Sequence, residues 1–479
     1  MQKRHYHLIG IGGTAMASLA GLLKAQGHRV TGSDENVYPP MSTLLEQLGV
    51  TVFQGYRPEN LQLPPDIVVV GNALSRGNPE IEYMLNAKLF YTSMPQVLKE
   101  EFVRGRHSIV IAGTHGKTTT TSLVAWILEQ GGLNPSFLIG GIAENFGTSC
   151  RLTDSPYFVT EGDEYDTAYF DKGPKFMHYL PDTAVVNSIE FDHADIYPDL
   201  ESIKTAFRRF INLIPGNGTL IADFDSPNVR EVSTVARCPI HTFGLAGGVD
   251  WRAINVSTSE EGTLFRVIRR GQDFGKYTTP LVGDFNIRNV LAAMAAATAL
   301  GVGREAIARA VAEFKSVKRR LEVRGEIDGV TVIDDFAHHP TAVQGTLRAL
   351  RKKYPGRRLW AVFEPRSRTA RLRIFQQEFE QALAEADGAV IAPLYNPGVA
   401  PNDQWLSLDV LVENLRARGK QAEAPGSVDE IVASLSRQVR SGDVVAIMSN
   451  GGFGNIHQKL LTALQQRTSK DARKGKRQK

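Results

Sequence analysis

The sequence predicts an α/β protein of three domains, and three observations carry that prediction. Short apolar segments alternate with amphipathic ones almost throughout the 479 residues, the pattern of parallel sheets covered by helices. Two strand–turn–helix units with glycine-rich turns, at Gly10 and Gly113, each start a nucleotide-type βαβ series. A third series of strands begins after the charged residues 315–324. Boundaries near 104 and 318 follow, giving domains at 1–104, 105–317 and 318–465 and a basic tail at 466–479. The chain length agrees, at roughly 100–200 residues per domain.

Local pattern justifies the elements in order. Apolar runs at 7–11, 29–32 and 66–71 read as strands of the first domain. Those at 108–112, 157–160 and 183–186 open the second, and two alternating runs within 251–270 flank Glu260-Glu261-Gly262 like a hairpin. Residues 290–302 are apolar and Ala-rich but shorter than the roughly 20 residues of a membrane span, which predicts a buried helix. Runs at 331–333, 359–363, 389–392 and 444–448 supply the third domain.

Composition removes several classes. Hydrophobic residues make up 42% and charged residues 22%, values of a globular enzyme and not of a disordered or fibrous chain. Two cysteines, Cys150 and Cys238, cannot build a disulfide framework or a cysteine-based zinc site and point to a reducing compartment. Met1-Gln2-Lys3-Arg4 leads straight into a strand with no apolar leader, so a cytoplasmic protein without a membrane partner is expected. The net charge of +4 comes from 55 basic and 51 acidic residues. Seven of the basic residues lie between Arg467 and Lys479 against Asp471 alone, and without them 48 basic residues face 50 acidic ones. The basicity belongs to the tail, expected to be solvated and disordered, and no nucleic-acid partner is expected.

Gly10-Ile11-Gly12-Gly13-Thr14-Ala15 follows a strand and opens a helix whose apolar positions Met16, Leu19, Ala20 and Leu23 recur at helical spacing. Small residues there let the backbone approach a pyrophosphate at a helix N-terminus. Asp34, at the end of the second strand, stands where a ribose-binding acid is expected. The loop marks a diphosphate-shaped site without naming the nucleotide. An NAD-dependent oxidoreductase and tight packing with no ligand both remain open on these residues alone.

Gly113-Thr114-His115-Gly116-Lys117-Thr118-Thr119 is more specific. A strand runs into a glycine turn and Gly-Lys-Thr opens a helix, so backbone N–H groups can cradle the phosphates of ATP. Lys117 supplies a point charge, and the Thr118 or Thr119 hydroxyl can ligate Mg²⁺. Ile111 stands where the longer phosphate-loop pattern has its first glycine, making this a shorter variant. Acids are required at neighbouring strand ends, and Glu161-Gly162-Asp163-Glu164-Tyr165-Asp166 provides them. Glu161, nearest the strand, is the expected metal ligand; a solvated acidic face is the alternative. Asn187-Ser188-Ile189-Glu190-Phe191-Asp192-His193 ends another strand, and His193 suits a second metal position or an anionic intermediate. An ATP–Mg²⁺ site beside a separate pyrophosphate site weakens the oxidoreductase reading, since hydride transfer needs no ATP.

Taken in order, these motifs resemble the Mur ligase family, ATP-dependent amide-bond ligases of peptidoglycan assembly, over residues 5–465. Gly283-Asp284-Phe285-Asn286-Ile287-Arg288-Asn289 is similar to its adenine-side motif, with Phe285 replacing a histidine. Arg319-Arg320 matches the arginine pair at the hinge into the third domain, and Asp334-Asp335-Phe336-Ala337-His338-His339-Pro340 matches the segment that follows. Residues 32–43, 191–196, 364–367 and 449–454 are similar to members of the UDP-N-acetylmuramate branch that attach a preformed tripeptide. The resemblance implies a Rossmann-like UDP-binding domain, a central P-loop ATPase domain and a Rossmann-like C-terminal peptide domain. It implies UDP-sugar binding by Gly10, Gly12, Gly13, Thr14, Ala15, Met16, Ser33, Asp34 and Asn72. For ATP it implies Gly113, Thr114, His115, Gly116, Lys117, Thr118, Thr119, Asn286 and Asn289, and for Mg²⁺ it implies Thr118, Glu161 and His193.

The implied reaction joins L-Ala-γ-D-Glu-meso-diaminopimelate to UDP-N-acetylmuramate through an acyl phosphate, in peptidoglycan recycling, with L-alanine as the alternative acceptor. Lys117 would hold the β- and γ-phosphate oxygens, and Arg319 or Arg320 would neutralise the γ-phosphate, a plain hinge charge being the alternative. His338 would position the amine or its carboxylate, while His339-Pro340 equally reads as a helix start. Arg366, beside Ser367, is a candidate clamp for a peptide carboxylate.

Overall fold

Apolar runs that end in glycine turns can bury both faces only inside a parallel sheet. The computed structural model of the protein, which describes residues 2–395 and 404–477, places these runs in the parallel parts of three large sheets, beside a two-stranded antiparallel one. In the first, five parallel strands run in the order Thr51–Gln54, Arg29–Asp34, His5–Ile9, Ile67–Val70, Tyr91–Ser93. The order reverses between His5–Ile9 and Ile67–Val70, so a crevice opens beyond their C-terminal ends, where Gly10 and Gly71 lie. Helix Thr14–Ala25 buries Met16, Leu19, Leu22 and Leu23 against the core. Its other side meets the second domain: Ser18 and Ser149 share a hydrogen bond of 2.7 Å, and a Cβ on Gly21 would come within 2.6 Å of the Cys150 sulfur.

The second sheet has ten strands, and the phosphate-loop strand His107–Ala112 sits between Tyr157–Gly162 and Thr183–Val186, parallel to both. That adjacency brings the ends of all three strands to one edge. The hairpin expected near residue 260 is present as Trp251–Ser259 and Gly262–Arg269, and it is extended by Gln272–Thr279. The helix expected over 290–302 is Asp284–Ala299, with Val290 to Ala297 buried against helix Lys117–Gln130.

The third sheet runs Glu322–Ile327, Val330–Asp335, Val444–Met448, Leu359–Phe363, Gly388–Ile391, Gln421–Glu423, and only its first pair is antiparallel. The strands with no counterpart in the sequence reading include Thr51–Gln54, Tyr91–Ser93 and Gln421–Glu423. They are short edge strands whose half-exposed residues leave no apolar run.

The tail requires a correction. Residues 466–477, expected to be disordered, continue the final helix Ile456–Arg477. Leu460 and Leu464 anchor that helix in the core, and Arg467 donates to the carbonyls of Ser436 and Val439, each at 2.8 Å. Among the described residues no helix is long and apolar enough to cross a membrane.

Candidate active site

The glycine turn after His107–Ala112 is shaped by two residues with positive φ, Gly113 and Gly116. A Cβ on Gly113 would lie 2.8 Å from the Ser188 nitrogen, and one on Gly116 would collide with the Asn289 side chain, so only glycine fits either position. The loop is tied to the strand end beside it: Thr114 N donates to Ser188 O at 2.7 Å and His115 N to the Ser188 hydroxyl at 3.1 Å. Lys117 begins the helix, and its ammonium donates to Gly113 O at 2.7 Å and to Glu164 at 2.8 Å. Burial works against that charge, but Glu164 and Asp163 outweigh it and hold the ammonium above its ordinary range.

The acidic run splits into two sites. Glu161 accepts from Gly140 N at 2.5 Å and lies 3.2 Å from the Thr118 hydroxyl. Burial pushes this carboxyl up, and the Gly140 N–H, Lys117 and Arg320 offset it only in part. Glu164 lies deeper and contacts both Lys117 and, at 3.5 Å, the His193 ring; burial opposes its charge, yet Lys117 and His193 keep it below the ordinary range. Asp163 binds Lys175 at 2.6 Å. The ligand atoms of Asp163, Glu164 and His193 lie within 4.8 Å of one another. Burial disfavours a charged His193, but its hydrogen bond to Glu164 and the charges of Glu164, Asp192 and Asp163 push it up to about 9. His193 adopts φ +55 and is protonated at neutral pH in this arrangement. His193, expected at a second metal position apart from Thr118 and Glu161, lies beside Glu164 and Asp163.

The third domain closes the other side. Arg320 lies 3.3 Å from the Thr118 hydroxyl and 4.8 Å over the Phe336 ring, whereas Arg319 donates to Ser449 O at 2.6 Å and Gly451 O at 2.7 Å. The arginine pair therefore divides: Arg320 faces the phosphate loop, and Arg319 holds a loop of its own domain. His338 binds Phe336 O at 3.0 Å through Nδ1, and burial lowers its pKa. His339 caps helix Pro340–Lys353, accepting from Thr341 N at 3.3 Å, as the helix-start reading expected. Arg366 stacks 3.8 Å over Tyr395 and lies against Gly451, while the Ser367 hydroxyl accepts from Ala370 N at 3.1 Å.

Several expected contacts fall elsewhere. Asn286 and Asn289 are buried behind the loop, with Asn289 donating to Asn286 at 3.2 Å and Asn286 to Val282 O at 2.9 Å. The Asn289 amide, with that of Asn187, packs against Gly116. At the first loop, Gly10 N and Ile11 N donate to Ser33 O at 2.8 and 3.1 Å, and Gly12 N donates to the Asp34 carboxylate at 2.8 Å. The Ser33 hydroxyl turns inward to buried Glu80, and Met16 is in the core, so neither side chain faces the crevice. Gly13, Thr14 and Ala15 open the helix, and Asn72 follows the Ile67–Val70 strand across the crevice.

The sequence singles out Glu161 from its acidic cluster and His338 ahead of His339, and it assigns no role to Glu190. The density of carboxylates after residue 160 was the available signal; which of them meets Lys117 depends on strand geometry.

Comparison with known proteins gives three family matches in chain order. They are the Mur ligase family catalytic domain at residues 5–104, the Mur ligase middle domain at 111–297 and the Mur ligase glutamate ligase domain at 319–451. The UDP-N-acetylmuramate–L-alanyl-γ-D-glutamyl-meso-2,6-diaminoheptandioate ligase of Haemophilus influenzae is 43% identical over 463 residues, 96% of this chain and 99% of that enzyme. The UDP-N-acetylmuramate–L-alanine ligase of Endomicrobium trichonymphae is 34% identical over 464 residues, 97% of this chain and 100% of that enzyme. A crystal structure of a murein peptide ligase from Psychrobacter arcticus superposes with a TM-score of 0.74 at 40% identity, covering 96% of this chain and 98% of that one.

Proposed function

Because this chain belongs to the Mur ligase family, we propose that it uses ATP to join L-alanyl-γ-D-glutamyl-meso-diaminopimelate to UDP-N-acetylmuramate, releasing ADP and phosphate in peptidoglycan recycling. The observation that carries the choice of acceptor is the higher identity to the tripeptide ligase than to the L-alanine ligase, over nearly the whole of each. Residues 1–104 would hold the sugar nucleotide, 105–317 ATP and 318–465 the peptide.

A carboxylate is a poor electrophile, so the lactyl carboxylate is first phosphorylated and the incoming amine then displaces phosphate. The protein's task is positioning and charge stabilisation. Lys117 exchanges Glu164 and the loop carbonyls for β- and γ-phosphate oxygens, and Arg320, on the opposite wall, meets the charge spreading over the transferred group. In the ligand-free site protonated His193 adds a third cation. Neutral His338 is suited to take a proton from the incoming ammonium so that the free amine attacks, and Arg366 to hold a peptide carboxylate.

The donor set fits Mg²⁺. Glu161 is a buried carboxylate short of positive charge, beside the Thr118 hydroxyl, and hard oxygen donors of this kind suit that ion. Mg²⁺ bound there would supply Lewis-acid neutralisation of phosphate oxygens. Asp163, Glu164 and His193 would hold a second ion after His193 loses its proton.

The test offers the tripeptide and free L-alanine in parallel with ATP and UDP-N-acetylmuramate and weighs the products by mass spectrometry. A product heavier by the tripeptide is expected. Preferential use of L-alanine would reverse the assignment, and ADP release without any acceptor would make the protein a simple ATPase.

A further inference from the structure

We propose that Glu190 latches the third domain onto the phosphate loop and is thereby a positioning residue for the acceptor. The role of the latch rests on the ligase reading above; its geometry does not. Glu190 lies in the segment after strand Thr183–Val186, and its backbone N–H is fixed by the Thr114 hydroxyl at 2.9 Å. One carboxylate oxygen, Oε2, then gathers partners from both domains. His115 Nε2 of the phosphate loop lies at 3.3 Å, and the Thr341 hydroxyl of the third domain donates at 2.6 Å. His339 Nδ1 lies 3.6 Å from Oε2 but is no donor to it, since that nitrogen accepts from Thr341 N.

Thr341 and His339 form the first turn of helix Pro340–Lys353, directly after His338. Fixing that turn against Glu190 fixes where His338 stands relative to Lys117 and Arg320. The backbone carbonyl of the next residue, Phe191, accepts from His339 Nε2 at 3.1 Å, and Ala194 N reaches the Thr369 hydroxyl at 3.2 Å. The segment is a strip of contacts with Glu190 as its charged centre.

His115, Glu190 and His339 also bring ligand atoms within 4.8 Å of one another, the spacing of an ion site. His339 has no lone pair to give, since Nδ1 accepts from Thr341 N and Nε2 donates to Phe191 O. The hydrogen-bonded latch is therefore His115, Glu190 and Thr341, with His339 tied alongside through Phe191 O, and the group is not an ion cage. Glu190 touches neither Lys117 nor Arg320, so it acts through the groups it holds.

The experiment compares E190A, T341V and the double variant at saturating ATP and UDP-N-acetylmuramate. The KM for the tripeptide should rise about tenfold in each single variant, the scale of one hydrogen bond to a charged group. The double variant should be no worse than E190A, because both changes break the same contact. E190Q, which keeps an acceptor oxygen for Thr341, should recover part of the loss. An unchanged tripeptide KM, additive effects, or a rise confined to the KM for ATP would overturn the latch. Small-angle scattering on the ligand-free proteins separates this from the functional reading. The radius of gyration should increase in E190A and T341V whatever substrate the enzyme uses, and an unchanged radius would refute the latch. Failure of the wild type to use the tripeptide would refute only the choice of acceptor.

Discussion

Replacing Lys117 with methionine should abolish ATP-dependent phosphate release and, separately, destabilise the ligand-free protein. The second effect follows from what the ammonium does in the absence of nucleotide. It lies 2.8 Å from Glu164, a carboxylate only 2% exposed, and it bonds Gly113 O at 2.7 Å. Removing one member of a buried pair costs about 3–5 kcal/mol when the other is left without a counter-charge. Here Glu164 keeps His193 at 3.5 Å and Asp163 keeps Lys175 at 2.6 Å, so the cost is reduced to about 2 kcal/mol. For a domain of this size that corresponds to a fall of about 4–8 °C in the melting transition. K117M/E164Q removes both charges and should regain most of the lost stability while remaining inactive. Scanning calorimetry of the ligand-free proteins, ADP release and titration with UDP-N-acetylmuramate make up the assay. Glu164 is held below its ordinary value, so its stabilisation is present above the ordinary carboxylate range and lost as pH falls. That acid limb should flatten in K117M. The reasoning is refuted if K117M melts with the wild type, if the double variant recovers turnover, or if K117M loses the sugar nucleotide as well as ATP.

The hinge arginines should separate kinetically. R320A should lower kcat by about 100-fold or more, as for loss of a donor at a developing charge, while R319A should chiefly raise the KM for the tripeptide. Steady-state kinetics with each substrate varied in turn distinguish them. Burial and His115 lower His339 to about 4, so its neutral form is favoured by folding. Between its unfolded value of 6.5 and about 4 the unfolded chain binds more protons, and stability falls as pH falls through that window. H339N keeps an N-cap acceptor and removes the titration, so its melting temperature should depend less on pH there. G116A places a Cβ against Asn289 at φ +80 and should abolish ATP binding measured by calorimetry, with UDP-N-acetylmuramate binding retained.

The residues legible in the sequence were those whose chemistry is set by their immediate neighbours in the chain. Gly113, Gly116 and Lys117 form a site through local backbone shape, and the strand before them and the helix after them are visible as an apolar run and a helix start. The division of labour between Glu161 and Glu164 was not legible, because it depends on how far each lies from a strand end and on which neighbour it meets. Arg319 and Arg320 are adjacent in sequence and opposite in space, since Arg319 adopts φ +62 and turns its guanidinium toward Ser449 and Gly451. His339 was readable as a helix cap, but its bond to Phe191 O joins residues 148 apart. Asp34, expected as a ribose-binding acid, accepts from Gly12 N, a contact within the loop that the sequence does not display.

The charges of the central site follow one logic. An enzyme that must stabilise a transferring phosphoryl group needs cations at fixed positions, and buried cations without counter-ions are unstable. In the ligand-free protein Glu164 serves Lys117 and His193, and Asp163 serves Lys175, so the site is assembled before ATP binds. Arg320 has no such close partner: it rests over Phe336 and near Asp335 and Glu161, and burial lowers its pKa. It belongs to the third domain, so its position depends on how that domain sits, whereas Lys117 and His193 both belong to the central domain, one opening helix Lys117–Gln130 and the other in the segment after strand Thr183–Val186. The two cations already paired belong to the central domain, and the third, carried by the third domain, lies 3.3 Å from the Thr118 hydroxyl because Glu190 holds Thr341 of that domain against the phosphate loop.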